Sequence, residues 1–262
     1  MTFLQAVVLG AVQGLTEFLP ISSSGHLLII PKLLGWQPQG LVFDLTVHLA
    51  TLLAIVIAMR AELRWLWDGF WRGERARVRL VWKLLGASVP ALLAGFFLAD
   101  WFAQFRNVET VAISLIVWGI FLGLADRFSA LMRGQIKDLG HLQWWQAMLI
   151  GVIQIFALVP GTSRSGATMT AGLFAGLERT ATVRFSFLLA IPVIGAAGLS
   201  TALTTAQSGL ELALSPMLVG FASALLFGIL AIKVLLWVVQ NASFVWFAVY
   251  RVALGIFLLL YL

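Results

Sequence analysis

The chain has 262 residues, of which 61% are hydrophobic and 11% charged, with a mean hydropathy of +1.00, a formal charge of +6 and no cysteine. A soluble domain of this size covers itself with about 25% charged residues, so a water-covered globule is excluded and lipid must supply the covering. Disulfides and thiolate metal sites are excluded as well, and the basic residues sit in short loops between apolar runs, a pattern of membrane orientation rather than of a nucleic-acid surface.

In chain order, the first apolar stretch, 3–35, is interrupted by Pro20 and by Ser22-Ser23-Ser24-Gly25. It lacks a basic leader and a small-residue cleavage site, so it reads as part of the mature chain and not as a signal peptide. Three uninterrupted runs follow at 41–59, 83–100 and 108–125, each near the roughly 20 residues that cross a bilayer. A second interrupted stretch, 144–176, is broken by Pro160-Gly161 and Thr162-Ser163-Arg164-Ser165-Gly166, and further runs lie at 185–204, 216–239 and 244–262. The expected fold is an all-α integral membrane protein with six transmembrane helices plus two re-entrant helical hairpins, because broken backbone at membrane depth is tolerated only inside protein or beside a water cavity.

The two interrupted stretches align without a gap. Gly10 falls on Gly151, Gln13 on Gln154, Ser22 on Ser163, Ser24 on Ser165 and Gly25 on Gly166, every pair 141 apart. A weaker likeness joins Gly86, Leu92 and Leu93 to Gly220, Leu226 and Phe227 at an offset of 134. The expected organisation is a first repeat over 1–125, a cytoplasmic linker over 126–143 and a second repeat over 144–262. Each repeat holds one hairpin and three crossings, an odd number, so the second is inverted. Orientation follows from the loops. Arg60–Lys83 carries seven Lys or Arg, the linker adds Arg127, Arg133 and Lys137, and the turn 177–184 adds Arg179 and Arg184. The positive-inside rule makes these cytoplasmic. The opposite loops, 101–107 and 205–215, and both termini then face outward, and the two hairpin tips meet near the midplane.

Charges inside apolar stretches are costly unless paired or solvated; here they are Glu17, Asp44, Arg164 and Arg251. Glu17 and His26 flank the first tip, and Arg164 occupies the second, opposite Ser23 in the repeat alignment. Tips that open helices offer free backbone N–H groups and the hydroxyls of Ser22, Ser24, Thr162, Ser163, Ser165 and Thr168 to an anion. Arg164 adds a planar fork suited to phosphate oxygens. Ser23 is a candidate nucleophile, with His26 three residues on as base or proton shuttle. Glu17 is placed either to orient His26 or to hold a divalent cation. These are the parts of a phosphoryl-transfer site. Elsewhere the bland readings hold. His48 reads as an interior histidine, His141 as a linker residue, Lys233 as snorkelling, Arg251 as a salt-bridge partner for Asp44, and the eleven tryptophans as interfacial anchors.

Gln13-Gly-Leu-Thr-Glu-Phe-Leu-Pro-Ile-Ser-Ser-Ser-Gly-His26 and Pro160-Gly-Thr-Ser-Arg-Ser-Gly-Ala-Thr168 resemble the two signature segments of the bacterial undecaprenyl pyrophosphate phosphatase family, also called bacitracin resistance protein. The likeness runs end to end, including Phe185-Ser-Phe-Leu-Leu-Ala-Ile-Pro192 and Phe247-Ala-Val-Tyr-Arg251. It implies hydrolysis of an isoprenoid pyrophosphate lipid to the monophosphate in the bacterial inner membrane. It also implies Mg2+ or Ca2+ dependence, and a site at Glu17, Ser23, His26, Ser163, Arg164, Ser165 and Thr168. The family pattern leaves the nucleophile open between serine and histidine, and a homodimer is an open assembly. Many members carry glutamate where this chain has Gln13, which questions a two-carboxylate metal site; some carry an acid at Arg184, which speaks against a catalytic role there. A type-2 phosphatidic-acid phosphatase needs a second histidine where Thr170 stands, and fails. A lipid flippase built on the same inverted repeat remains the rival reading.

Overall fold

The structure is a computed structural model and describes residues 1–132, 136–207 and 214–262. Arg133 of the linker and most of the loop 205–215 lie outside the described residues. Among those described, the chain forms α1 (Phe3–Phe18), α2 (Ser23–Leu33), α3 (Leu41–Ala58), α4 (Arg60–Trp71), α5 (Arg75–Phe97), α6 (Ala99–Ala103) and α7 (Val108–Leu131). It continues with α8 (Trp144–Ile153), α9 (Arg164–Phe174), α10 (Arg179–Gln207), α11 (Leu214–Asn241) and α12 (Val245–Tyr261), with short 3-10 turns at Leu139–His141 and Gln154–Leu158. Starts are set by side chains that satisfy the first free N–H groups. Thr2 and Gln5 cap α1 reciprocally, and Asn107 accepts from Thr110 N at 2.8 Å to open α7.

Helices α3, α5, α7, α10 and α11 are long and apolar enough to cross a membrane. The 17 residues of α12 rise about 26 Å, at the lower limit of a span. The outward faces carry exposed Phe96, Trp101, Leu131, Trp237 and Trp246, which lipid covers and water would not. The chain is thus an all-α multi-pass membrane protein. Three expected boundaries shift. Helix α5 begins at Arg75 rather than 83, α10 at Arg179 rather than 185, and α7 continues to Leu131 rather than stopping at 125. Arginine and lysine are good helix formers, so a helix continues past the point where its hydropathy falls. The basic segment after α3 also contains the twelve-residue α4, not only loop. Two charges expected in loops are consequently buried. Lys83 donates to the Leu142 carbonyl, and Asp126 accepts from Arg179 Nη2 at 3.0 Å and from Ser243 Oγ. The linker closes against the α9–α10 turn through Ile136 N to Gly176 O (2.9 Å) and Glu178 N to Ile136 O (3.1 Å).

Packing brings the two interrupted stretches to the middle of the bundle. Helix α1 lies along α11, α8 along α5, α3 against α10 and α11, and α7 between α12 and α9. Two glycines make the corresponding contacts possible. A Cβ on Gly10 would stand 2.4 Å from Gly220 O on α11, and one on Gly151 would stand 2.2 Å from Ala87 O on α5. Small residues at a crossing let helix backbones touch where no hydrophobic drive separates protein from lipid.

Candidate active site at the two helix breaks

Each break begins at a proline. Leu19, before Pro20, and Val159, before Pro160, are extended (ψ 142° and 122°), because the proline ring disfavours helical backbone in its predecessor. Two residues after Pro20 and three after Pro160, the chain re-enters a helix through a serine with positive φ: Ser22 at 78° and Ser163 at 72°. Serine at such an angle costs about 1–3 kcal/mol and persists only where its surroundings enforce it. Both serines cap the helix that follows, Ser22 Oγ accepting from Gly25 N at 3.3 Å and Ser163 Oγ from Gly166 N at 3.0 Å. Both also pair with the hydroxyl two residues on, Ser24 at 3.3 Å and Ser165 at 3.1 Å. The amide N–H groups of Ser23, Ser24, Arg164 and Ser165 lie in the first turns and bond to no other described residue. Such turns are suited to an anion.

Three of the sequence-predicted residues meet across the breaks. Glu17 Oε1 accepts from Arg164 Nη2 at 3.1 Å, and Glu17 Oε2 accepts from Ser23 Oγ at 2.7 Å and from Gln13 Nε2 at 3.1 Å. Arg164 also donates from Nη1 to Ser186 O at 3.1 Å, while its buried Nε and the buried Thr162 hydroxyl have no partner. Ser165 Oγ ties the second break to the first through Leu19 O at 3.0 Å. Thr168 bonds Ser186 Oγ at 2.7 Å as well as its own helix backbone at 2.8 Å, so it fixes the wall beside Arg164. Ser23 is partly exposed and Ser24 exposed, whereas Glu17 is buried; the Ser23 hydroxyl stands at the rim and its acceptor behind it.

His26 departs from expectation. Its Nδ1 donates to Ser22 O at 2.6 Å, which in a neutral ring leaves Nε2 to accept from the Tyr250 hydroxyl at 2.7 Å. Both nitrogens are engaged, and neither partner is Ser23 or Glu17. The acceptor at Ser23 is the carboxylate, since six residues separate Glu17 from Ser23 across a break that turns the chain back. Arg251 departs too. It does not pair with Asp44. Completely buried, it donates to Thr162 O (2.7 Å), Pro20 O and Gly161 O (3.0 Å each), with longer bonds to Leu115 O and Ser114 O. Arg251 stands out in the sequence as a charge inside an apolar run, but its partners do not, because they lie more than 80 residues away. Tyr250, whose partner is equally distant, carries no mark of its own beyond its place in Phe247-Ala-Val-Tyr-Arg251. Asp44 and His48 stay on α3, with His48 Nδ1 donating to Asp44 O at 2.7 Å, a local bond within the helix.

Among the described residues no three His, Cys, Asp or Glu side chains gather into a self-contained metal cage. Oxygen donors for a hard cation are nevertheless present. The Glu17 carboxylate has Gln13 Oε1 one turn before it on the same helix, a buried acceptor with no hydrogen-bond partner. One or two such oxygens, completed by phosphate oxygens of a substrate, are what Mg2+ needs.

Comparison with known proteins agrees with the geometry. Residues 6–257 match the family model described as bacitracin resistance protein BacA. The chain is 41% identical over 268 residues to an undecaprenyl-diphosphatase of Hahella chejuensis, covering 100% of this chain and 99% of that one. It is 43% identical over 264 residues to that of Trichlorobacter lovleyi (98% and 96% covered) and 40% identical over 265 residues to that of Alteromonas mediterranea (99% and 98% covered).

Proposed function

The chain belongs to the bacitracin resistance protein BacA family, and on that premise we propose that it hydrolyses undecaprenyl pyrophosphate to undecaprenyl phosphate and inorganic phosphate. The reaction returns the lipid carrier to cell-wall synthesis and removes the form that bacitracin sequesters. Relatives are named for hydrolysis, so the flippase reading is not favoured.

The observation that carries a mechanism is the chain of contacts Arg164–Glu17–Ser23, which joins the two breaks through one carboxylate. The pyrophosphate lies against the free N–H groups and hydroxyls of both tips, with the unused N–H groups of Arg164 on its oxygens. Ser23 Oγ attacks the terminal phosphorus. Its proton passes to Glu17 Oε2, the new P–O bond forms, and the bond to the bridging oxygen breaks with undecaprenyl phosphate as leaving group. Water then attacks the phosphoserine, the P–O bond to Ser23 breaks, and inorganic phosphate leaves. Across the two steps Glu17 takes and returns one proton. Arg164 and the tip amides hold the charge that spreads over the equatorial oxygens in each transition state. A divalent cation, Mg2+ or Ca2+, would be held by Glu17 and Gln13 Oε1 and would neutralise phosphate charge. His26, tied to Ser22 and Tyr250, shapes the first tip and is not the base at Ser23. The protein resides in the bacterial inner membrane, with the breaks as re-entrant tips of an inverted repeat.

The experiment is phosphate release from undecaprenyl pyrophosphate by protein purified in detergent, with and without chelator. Wild type should turn over and lose most activity on chelation, and Ser23→Ala should be inactive. Ser23→Ala with full activity would remove the serine as nucleophile. No release by wild type would overturn the assignment as a whole.

A further inference from the structure

We propose that Arg251 is a positioning residue for this reaction, acting through main-chain carbonyls of both helix breaks to hold Ser23 and Arg164 at one pyrophosphate; the role rests on the hydrolase reading above.

Three observations carry it. First, Arg251 is completely buried and has no acidic partner among the described residues, since the salt bridges there pair other cations. An unpaired guanidinium in a protein interior is expensive unless its donors are satisfied. Here they are satisfied by carbonyls alone. Second, those carbonyls come from three separate segments. Pro20 belongs to the first break, Gly161 and Thr162 to the second, and Ser114 and Leu115 to α7. A break in a helix leaves carbonyls without intrahelical partners, and Arg251 collects those of both breaks on one rigid fork. No other described side chain donates to main-chain carbonyls of both. Third, a trans peptide points its N–H opposite to its C=O. With the Thr162 carbonyl drawn onto Arg251 at 2.7 Å, the Ser163 N–H of the same peptide is aimed away from the guanidinium, and it bonds to no other described residue. Arg251 thereby sets the plane of the peptide that leads into the Ser163 turn and the start of α9.

The surrounding packing leaves the guanidinium little alternative. A Cβ on Gly166 would stand 2.5 Å from Arg251 Nη1, and one on Gly119 would stand 3.0 Å from Arg251 Cβ, so both ends of the side chain are clasped by glycines. Arg251 touches neither Ser23 nor Glu17 in its hydrogen bonds. Its effect on the reaction is therefore transmitted through the positions of the tips.

Arg251→Lys tests this, because lysine keeps the charge but offers three donors on a single atom and cannot reach carbonyls on three segments. Steady-state kinetics with undecaprenyl pyrophosphate, inhibition by inorganic pyrophosphate and thermal melting in detergent are measured together. The expected result is a kcat lower by about 100-fold, the cost of a misplacement of about 1 Å, in protein that still melts cooperatively. KM and the inhibition constant for pyrophosphate should change less than about threefold, because Arg164 and the tip amides still bind the anion. Arg251→Gln, which retains donors for the nearest carbonyl without charge, should show the same split. A folded variant with wild-type kcat would overturn the proposal. So would a loss confined to KM and the inhibition constant, which would make Arg251 a direct ligand of the anion. Failure of both variants to fold would assign Arg251 to stability alone and overturn it equally. Wild type releasing no phosphate, with normal pyrophosphate binding, would instead refute the hydrolase reading.

Discussion

Replacing Arg164 by lysine separates a point charge from a planar fork at the centre of the site. The guanidinium has five N–H groups, and protein acceptors occupy one on Nη2 (Glu17 Oε1, 3.1 Å) and one on Nη1 (Ser186 O, 3.1 Å). Two η N–H groups remain for substrate, since the unpartnered Nε–H is buried out of reach of a bound anion. Lysine has three N–H groups on one nitrogen, and if two stay with Glu17 and Ser186 only one remains. The variant therefore loses one charge-assisted hydrogen bond to a phosphoryl oxygen, worth about 1.5–3 kcal/mol. At 1.36 kcal/mol per decade this is a fall of about 10–150-fold in kcat/KM. Phosphate release by purified protein over a range of undecaprenyl pyrophosphate concentrations reads the number directly, and a melting curve in detergent shows that the variant is folded. A kcat/KM within about threefold of wild type would refute the reasoning and take Arg164 out of the site.

The other predictions concern the base, the packing and the topology. Glu17→Gln and His26→Ala should each lower turnover at least about tenfold more than Asp44→Asn or His48→Ala, because the first two are bonded into the breaks, whereas the second two make no hydrogen bond to either break; the reverse ranking would move the site off the breaks. Partial rescue of Glu17→Gln by excess Mg2+ would support the carboxylate as a cation ligand beside the proton-accepting role proposed for it. Gly151→Ala should lower stability by about 1–3 kcal/mol, read as a drop of several degrees in the detergent melting midpoint, since the new methyl would stand 2.2 Å from a backbone oxygen of α5; an unchanged midpoint would show that α8 and α5 separate freely. In this cysteine-free chain, an impermeant thiol reagent on intact cells should modify Gln104→Cys and spare Ala76→Cys, and a tag at Met1 should be accessible from outside. A protected tag would remove the re-entrant reading of the first hairpin.

Much of this protein is written in local pattern. Apolar runs near bilayer length announce the membrane helices, because a lipid-facing helix must be apolar along its whole length. Pro20 and Pro160, each followed by a serine-rich run, announce the breaks, because proline disfavours helical backbone in its predecessor; Pro31, Pro90 and Pro192, with no such run after them, stand inside helices. Glu17 and Arg164 stand out because charge in an apolar stretch demands a purpose. Their mutual contact was expected only as convergence of two tips, and the structure made it a 3.1 Å ion pair.

What the tertiary structure alone decided is which partner each polar group takes. Spacing places His26 beside Ser23 and Glu17, yet its two nitrogens bind Ser22 O and Tyr250, the latter 224 residues away. Ser23 and His26 do share the first turn of α2, but spacing does not fix where a ring points, and the ring turns back to the Ser22 carbonyl; Glu17 lies across the break, where helical spacing no longer applies. The charges in apolar stretches pair Arg251 with Asp44, since a buried cation is expected to have an anion. Its partners are instead backbone carbonyls of Pro20, Gly161 and Thr162. Every residue has a carbonyl, so such a partner leaves no mark in the sequence. Only the broken helices, folded against α7 and α12, determine which carbonyls are left free for the arginine to bind.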